Sequence, residues 1–247
     1  MTADTSTTTS GTGGWATRLA AATRLAATGA VVLASATGLG AAAPPAAAAG
    51  EHDPILFVHD FGGNGGRWAS MIDRFEADGW DADRLFTISY DSTKSNAEIA
   101  LDVRDAVDDI RAETGAEEVD IVAMSMGGLN TRHYMKFLGG AAVVDDYVSL
   151  AGPNHGTTTA SLLCLGGGNA TCNEMKPGSL FLTTLNSGDE TPGVATYGTF
   201  WSPCDSIINP DSSVSLDGAT NTRVGCISHA DFLTDPGVYG LVHDFVA

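Results

Sequence analysis

The chain has 247 residues, 30 of them acidic against 12 basic, for a formal net charge of −18. So acidic a protein is excluded from binding nucleic acid or an anionic membrane by charge. An apolar fraction of 43% and four cysteines leave a folded domain with room for a sizeable core.

The first 49 residues differ from the rest: they hold one acid, Asp4, and two bases, Arg18 and Arg24. A Thr-rich start is followed by an apolar stretch over 25–43, then Pro44, Pro45 and an alanine run. Basic residues, an apolar core and Ala-x-Ala sites in that order read as a secretory signal peptide and processing segment over residues 1–49. A membrane anchor fits less well, because Gly, Ser and Thr interrupt the apolar stretch. There is no twin arginine, and cleavage after Ala43 or near Ala49 fits equally. Removing two bases and one acid takes the net charge from −18 to −19. What remains, residues 50–247, is expected to form one domain of about 200 residues, enough for a well-buried core. The expectation is a secreted protein with no nucleic-acid partner and no stable membrane insertion once the leader is gone.

All four cysteines (Cys164, Cys172, Cys204, Cys226) lie in that domain. An even count in an exported chain reads as two disulfides. A metal site would need a Cys-x-x-Cys pair or a nearby histidine cluster, and neither is present.

In chain order, Pro54 opens an apolar strand over 55–59, which runs into the glycine-rich loop His59-Asp60-Phe61-Gly62-Gly63-Asn64-Gly65-Gly66. Trp68, Met71, Ile72 and Phe75 recur at helical spacing, and Gly79 stops that helix. A second strand covers 85–90. Ile99, Val103, Ala106, Val107 and Ile110 form one stripe of a helix ended by Gly115. Residues 119–124 make a buried strand, 126–138 a helix and 143–150 the next strand. From 152 to 193 there are glycines, threonines and two cysteines but only short apolar patches. Strands over 193–201 and 222–226 and a helix over 237–246 close the chain. Strands alternating with helices at this spacing predict a single α/β domain, a mostly parallel sheet with helices on both faces.

Between the strand over 119–124 and its helix stands Ser125, with Ala123 two residues before it and Gly127 two after. A strand turning sharply into a helix strains the residue at the corner, and small neighbours keep the two elements from colliding. That is the nucleophile elbow, which lifts a serine Oγ above the sheet. Ester hydrolysis by serine then needs a histidine base, an acid that orients it, and two N–H groups for the oxyanion. On this fold the chain order is Ser, acid, His, each beyond a strand's carboxyl end.

Six histidines compete. His52, His59 and His133 precede the serine or sit in its helix. His155 has only Asp145 and Asp146 between it and Ser125, at the wrong end of a strand, and His243 lies on the last helix. His229 follows the last strand and Asp205 the one before, so Ser125, Asp205 and His229 satisfy the order; Asp211 and Asp217 lie farther past the strand end. Three cysteine pairings are possible. Cys204 with Cys226 is preferred, since it would tie the loop of Asp205 to that of His229, leaving Cys164 with Cys172. The oxyanion donors expected are the backbone N–H groups of Met126, after the nucleophile, and of Phe61, in the first glycine-rich loop. That loop lacks the Gly-Lys-Ser/Thr ending of a phosphate loop.

From Pro54 onward the chain resembles the small secreted triacylglycerol lipases of class 2, the Bacillus-type bacterial group with actinomycete relatives. The resemblance runs through Pro54-Ile-Leu-Phe-Val-His59, through Thr114-Gly-Ala-Glu-Glu-Val-Asp-Ile-Val-Ala-Met-Ser125-Met-Gly-Gly, and through Ser215-Leu-Asp-Gly-Ala. It implies a minimal α/β-hydrolase of about six strands with little or no lid. It also implies no metal or other cofactor, the same three catalytic residues, and a lipid or other ester as substrate, met at an interface or in solution. Two residues depart from the pattern: Asp60 where the family has Gly, and Met124 where it commonly has His. An apolar rim for meeting an oil surface could come from Phe61, Met124, Met126, Leu162, Leu163, Phe181 and Phe232, although residues like these are more often core. An esterase or acyltransferase acting on soluble short-chain esters would use the same groups. A non-catalytic binding protein on this fold would lack one of them.

Overall fold

The computed structural model describes residues 52–164 and 166–247, so the leader expected over residues 1–49 lies outside the described residues. Six parallel strands form one sheet in the order β2-β1-β3-β4-β5-β6. They are β1 (Ile55–Val58), β2 (Leu85–Ile88), β3 (Val119–Met124), β4 (Val144–Leu150), β5 (Thr196–Trp201) and β6 (Thr220–Arg223). The helices of the α/β frame are α1 (Ala69–Ala77), α2 (Asn96–Thr114), α3 (Gly127–Phe137) and, at the C-terminus, α7 (Pro236–Val246). Three short helices, α4 (Thr158–Leu163), α5 (Ala170–Glu174) and α6 (Leu180–Leu185), lie between β4 and β5. This is the minimal α/β-hydrolase architecture that the alternation of elements and the resemblance predict.

The inner strands are largely apolar on both faces because both are covered. Ile55, Phe57, Val122, Met124, Val148 and Leu150 pack with Phe75 of α1 and Val242 of α7. Their neighbours Leu56, Val58, Ile121, Ala123 and Tyr147 point the other way, against Val103 and Val107 of α2 and Tyr134 of α3. The two sets alternate with the period of two that a pleated strand imposes. Helix α2 is fixed at its start by a Ser95–Glu98 capping box and ends at Gly115, φ +75°.

Two features differ most from expectation. The last strand is β6 at 220–223 rather than 222–226: it is an edge strand of polar residues (Thr-Asn-Thr-Arg), which apolar patterning cannot find. The three helices between β4 and β5 were not expected. Each is too short to show a helical stripe, and their apolar residues (Ala160, Met175, Leu182, Leu185) form a cluster of their own with Ile99, Met126 and Leu129. This segment is pinned by the Cys164–Cys172 disulfide and by Glu174, which accepts from the Asn96 N–H at 2.7 Å.

The sheet grows outward from β1 in both directions, to β2 on one side and to β3 on the other. Loops leaving the carboxyl ends of β1 and β3 therefore diverge and leave a crevice, the usual ligand position on an open α/β sheet.

Candidate active site

Ser125 leaves β3 at that crevice with φ +54°, in the left-handed region that costs a non-glycine residue free energy. Its N–H is held by the Leu150 carbonyl at 2.8 Å, and its carbonyl accepts from Gly128 N–H at 2.9 Å. The small residue after the turn has a direct reason. A Cβ on Gly127 would stand 2.7 Å from the His59 carbonyl oxygen and 2.8 Å from that of Val58. The start of α3 thus rests on the end of β1, and any side chain there would push them apart.

The structure brings Ser125, His229 and Asp205 into one line. His229 Nε2 lies 3.0 Å from Ser125 Oγ, and His229 Nδ1 lies 2.7 Å from Asp205 Oδ2. A carboxylate only accepts, so Nδ1 carries the proton and Nε2 is left to accept from the hydroxyl. The other carboxylate oxygen, Asp205 Oδ1, accepts from the N–H groups of Ile207 at 2.8 Å and Ile208 at 3.1 Å, which fixes the plane of the carboxyl group. Asp205 and Ser125 are buried, and His229 is nearly so. Such a line can move a proton from the hydroxyl to the imidazole and stabilise the cation that results.

Two ties hold the loops that carry the histidine and the acid. Cys204 and Cys226 are bonded, with Cα atoms 5.0 Å apart. Ser202 Oγ donates to the Ile227 carbonyl at 2.7 Å and accepts from the Ile227 N–H at 3.0 Å. His229 then opens a short 3-10 turn stabilised by Ser228 and Asp231.

The other candidates are engaged elsewhere. His155 pairs with Glu190 at 2.9 Å, and the carboxylate of Glu190 also accepts from the Asp217 N–H at 2.9 Å. Asp211 opens a 3-10 turn at Asp211–Val214. His133 stacks on Phe181, His52 on Trp80, and His243 lies in α7. A cavity of about 440 Å³ runs along α3, α5 and α6, lined by His133, Phe137, Leu180 and Phe181 among others, and it contains none of the three aligned residues.

Phe61 and Met126 bracket the crevice, one on the loop after β1 and the other between Ser125 and α3. The loop after β1 is braced by β2's continuation: Ser92 Oγ accepts from the Gly62 N–H at 3.0 Å and Ser89 Oγ from the Gly65 N–H at 2.9 Å. These serines escaped the sequence reading, although parallel pairing of β1 with β2 places whatever follows β2 beside whatever follows β1. Arg67 also escaped it. Its Nε lies 2.9 Å from Asp60 Oδ1, an ion pair rather than an aligned hydrogen bond.

The structure divides the candidate rim residues between core and surface. Met124, Met126 and Phe232 are buried in the core because strand and helix packing closes over them. Phe61, 44% exposed, and Leu162, 70% exposed, do face solvent, and Ile207, two residues from Asp205, joins them at 39%. At the opposite end of the sheet, the carboxylates of Asp120, Asp145 and Asp146 come within 4.8 Å of one another. Burial first, and then Asp146, pushes Asp120 up to about 9. Among the described residues no helix is long and apolar enough to cross a membrane.

The model of one protein family, described as lipase (class 2), matches residues 52–223, well over half of the chain. Among solved structures, the chain is similar to a lipase of Bacillus licheniformis, BlEst2 in its mature form, at 18% identity and a TM-score of 0.70. That match covers 80% of this chain and 93% of the Bacillus one. A lipase B from Aspergillus fumigatus also has a TM-score of 0.70 at 20% identity, over 78% of this chain; the chain spans about half of the fungal one, 52%. Phospholipase PlaB of Legionella pneumophila follows at 16% identity and a TM-score of 0.60, over 79% of this chain and 60% of its own. At these identities the three structures show a shared fold.

Proposed function

Because the chain belongs to the class 2 lipase family and is a carboxylic ester hydrolase, we propose that it is a secreted triacylglycerol lipase whose reaction runs through Ser125, His229 and Asp205. The observation that carries this reading is the unbroken line from Ser125 Oγ to His229 to Asp205, at 3.0 and 2.7 Å. Ser125 Oγ attacks the ester carbonyl while His229 Nε2 takes its proton. Asp205 holds the imidazole by Nδ1–H and stabilises it once it is charged. The carbonyl oxygen, now an oxyanion, sits between the N–H groups of Phe61 and Met126. His229 returns its proton to the leaving alcohol, giving an acyl-enzyme. Water then attacks the acyl carbon while His229 takes its proton, and the second oxyanion collapses to release the acid and Ser125 Oγ, which recovers the proton from His229.

A water-insoluble ester is favoured over a soluble one by two exposed apolar residues beside this machinery. Phe61 carries an oxyanion donor, Ile207 adjoins the acid, and both turn their side chains to solvent. Isolated apolar residues on a surface are ordinary, but these two stand on the loops that meet the substrate. Secretion accords with the cysteines: all four are paired and none is free.

The test is a rate series on p-nitrophenyl esters of rising chain length, set beside an emulsified triglyceride and a fluorophosphonate label. The expected result is labelling of Ser125 and release of fatty acid from the emulsion. Hydrolysis of short soluble esters alone would make the protein an esterase, and activity surviving in Ser125→Ala would end the proposed mechanism.

A further inference from the structure

We infer that His59 is a positioning residue for the reaction: its imidazole pins the peptide unit that carries the Phe61 N–H, and Tyr90 pins the imidazole. The inference rests on the proposed use of Phe61 as an oxyanion donor.

The protonation of His59 follows from its partners. Nε2 faces the backbone nitrogen of Tyr90 at 3.2 Å, and an N–H only donates, so Nε2 is bare. Nδ1 faces the carbonyl oxygen of Asp60 at 2.7 Å, and a carbonyl only accepts, so Nδ1 carries the hydrogen. One neutral tautomer satisfies both contacts, whereas an imidazolium would set a second N–H against that of Tyr90. Burial favours the neutral ring in the same sense. The charged groups around it are the carboxylate of Asp60 and the guanidinium of Arg67, already paired with each other. The Tyr90 phenol is kept protonated by burial.

Tyr90 grips the histidine at two further points. Its ring stacks on the imidazole at 3.8 Å and 15°, and its hydroxyl donates to the His59 carbonyl. Asn130, on α3, donates to that hydroxyl at 3.4 Å. The ring of His59 therefore has one position and one direction in which to offer Nδ1–H.

The acceptor of that hydrogen is what matters for the reaction. The Asp60 carbonyl and the Phe61 N–H belong to the same peptide unit, and in a trans peptide they point in opposite directions. Gly63 N–H also donates to this carbonyl, at 3.2 Å, closing a turn in which Gly62 takes φ +72°. With the carbonyl drawn to the imidazole, the Phe61 N–H is turned away from it. Without the imidazole only the longer bond from Gly63 remains, and the peptide is free to rotate. Val58 and His59 are also the residues on which Gly127 rests, so the loop is set from the same point that seats Met126. His59 touches neither substrate nor the reacting atoms on this account.

Two substitutions separate the two bonds. An asparagine amide reaches the place of Nδ1 and keeps the donor to Asp60. A glutamine reaches the place of Nε2 and keeps the acceptor for Tyr90. His59→Asn should stay within about threefold of the native kcat, whereas His59→Gln should lose about 30- to 100-fold in kcat with little change in KM, since an oxyanion donor contributes about 10² to 10³ in rate. Affinity for a trifluoromethyl ketone, whose serine adduct carries an oxyanion, should fall in His59→Gln by a similar factor. Thermal melting of both variants reports folding, and fluorophosphonate labelling of Ser125 in the native protein reports the underlying mechanism independently. Native kcat and ketone affinity in His59→Gln would overturn the inference. So would losses in both variants that follow their melting temperatures and leave the ketone's relative affinity unchanged. Failure of the native protein to label at Ser125 would instead count against the proposed function, on which the inference rests.

Discussion

Arg67 reaches Asp60 across the loop after β1, its Nε 2.9 Å from Oδ1. The pair lies beneath Gly63, where a Cβ would meet Asp60 Oδ1 at 2.4 Å and Arg67 Cδ at 2.7 Å. Asp60 stands where the resemblance implies glycine, and on the proposed use of the Phe61 N–H as an oxyanion donor a bare carboxylate one residue away would raise the barrier to attack. Arg67 supplies the opposing charge.

The expected outcome is therefore asymmetric. Asp60→Gly should leave kcat within about threefold of native, while Arg67→Ala, which strands the carboxylate, should lower it about three- to tenfold. Combining the two should restore the rate. Steady-state kinetics of the three variants decide it, and a severe loss in Asp60→Gly with normal folding would mean that the carboxylate assists the reaction.

Ser125 combines its proposed role with backbone strain. At φ +54° a serine costs of order 1 kcal/mol or more relative to glycine, which takes this conformation freely. Ser125→Gly should abolish ester hydrolysis by about four to six orders of magnitude and raise the melting temperature. Ser125→Ala should lose as much activity without that gain, because alanine keeps the Cβ. Equal melting temperatures for Gly and Ala would show that the elbow is not strained.

Much of this was legible in the sequence, for physical reasons that can be named. Buried parallel strands are continuous apolar runs, so β1, β3 and β4 announce themselves, and the fixed order of Ser125, Asp205 and His229 along the strands narrows six histidines to one. Edge strand β6 is polar and shows its position poorly. Tyr90, Ser89 and Ser92 are ordinary residues whose roles arise only when β2 lies beside β1, and Arg67 is one whose role arises only when the loop after β1 turns it back onto Asp60. Composition leaves Met124, Met126 and Phe232 open between a lipid-facing rim and the core, and packing decides for the core.

Asp120 gives a prediction about stability. It is 2% exposed, and its carboxyl is raised from 3.8 to about 9, by burial first and then by Asp146, which burial and Asp145 raise to about 6. A group whose folded pKa is raised stabilises the fold below its unfolded value and loses that contribution as pH rises toward the folded one. Asp120→Asn keeps an acceptor for the Asp146 N–H, now 3.1 Å from Oδ1, and never ionises. The variant should match native stability near pH 4 and exceed it by about 1–3 kcal/mol at pH 8, the difference growing between. Urea unfolding at several pH values measures this; a difference that does not vary with pH would refute it.

The two disulfides are expected to differ in purpose. The Cys164–Cys172 bond closes 8 positions inside the short-helix segment, while Cys204–Cys226 closes 22 and joins the loop of Asp205 to that of His229. By loop entropy alone the second stabilises by about 3.4 kcal/mol and the first by about 2.5, a small difference beside the strain terms that act on either. Location separates them. Asp205 follows Cys204 directly, His229 lies three residues beyond Cys226, and their 2.7 Å contact must keep the imidazole in line with Ser125. A shift of a fraction of an ångström there lowers the rate steeply. Ser202 would still bridge to Ile227 after reduction, so the loops should loosen without separating. Accordingly, Cys204→Ser with Cys226→Ser should lose activity on heating several times faster than Cys164→Ser with Cys172→Ser. Its kcat should fall at temperatures where its circular dichroism is still native. Peptide mapping without reductant checks the pairing itself. Equal half-lives of inactivation for the two double variants would mean that the bond beside the acid does nothing for the site.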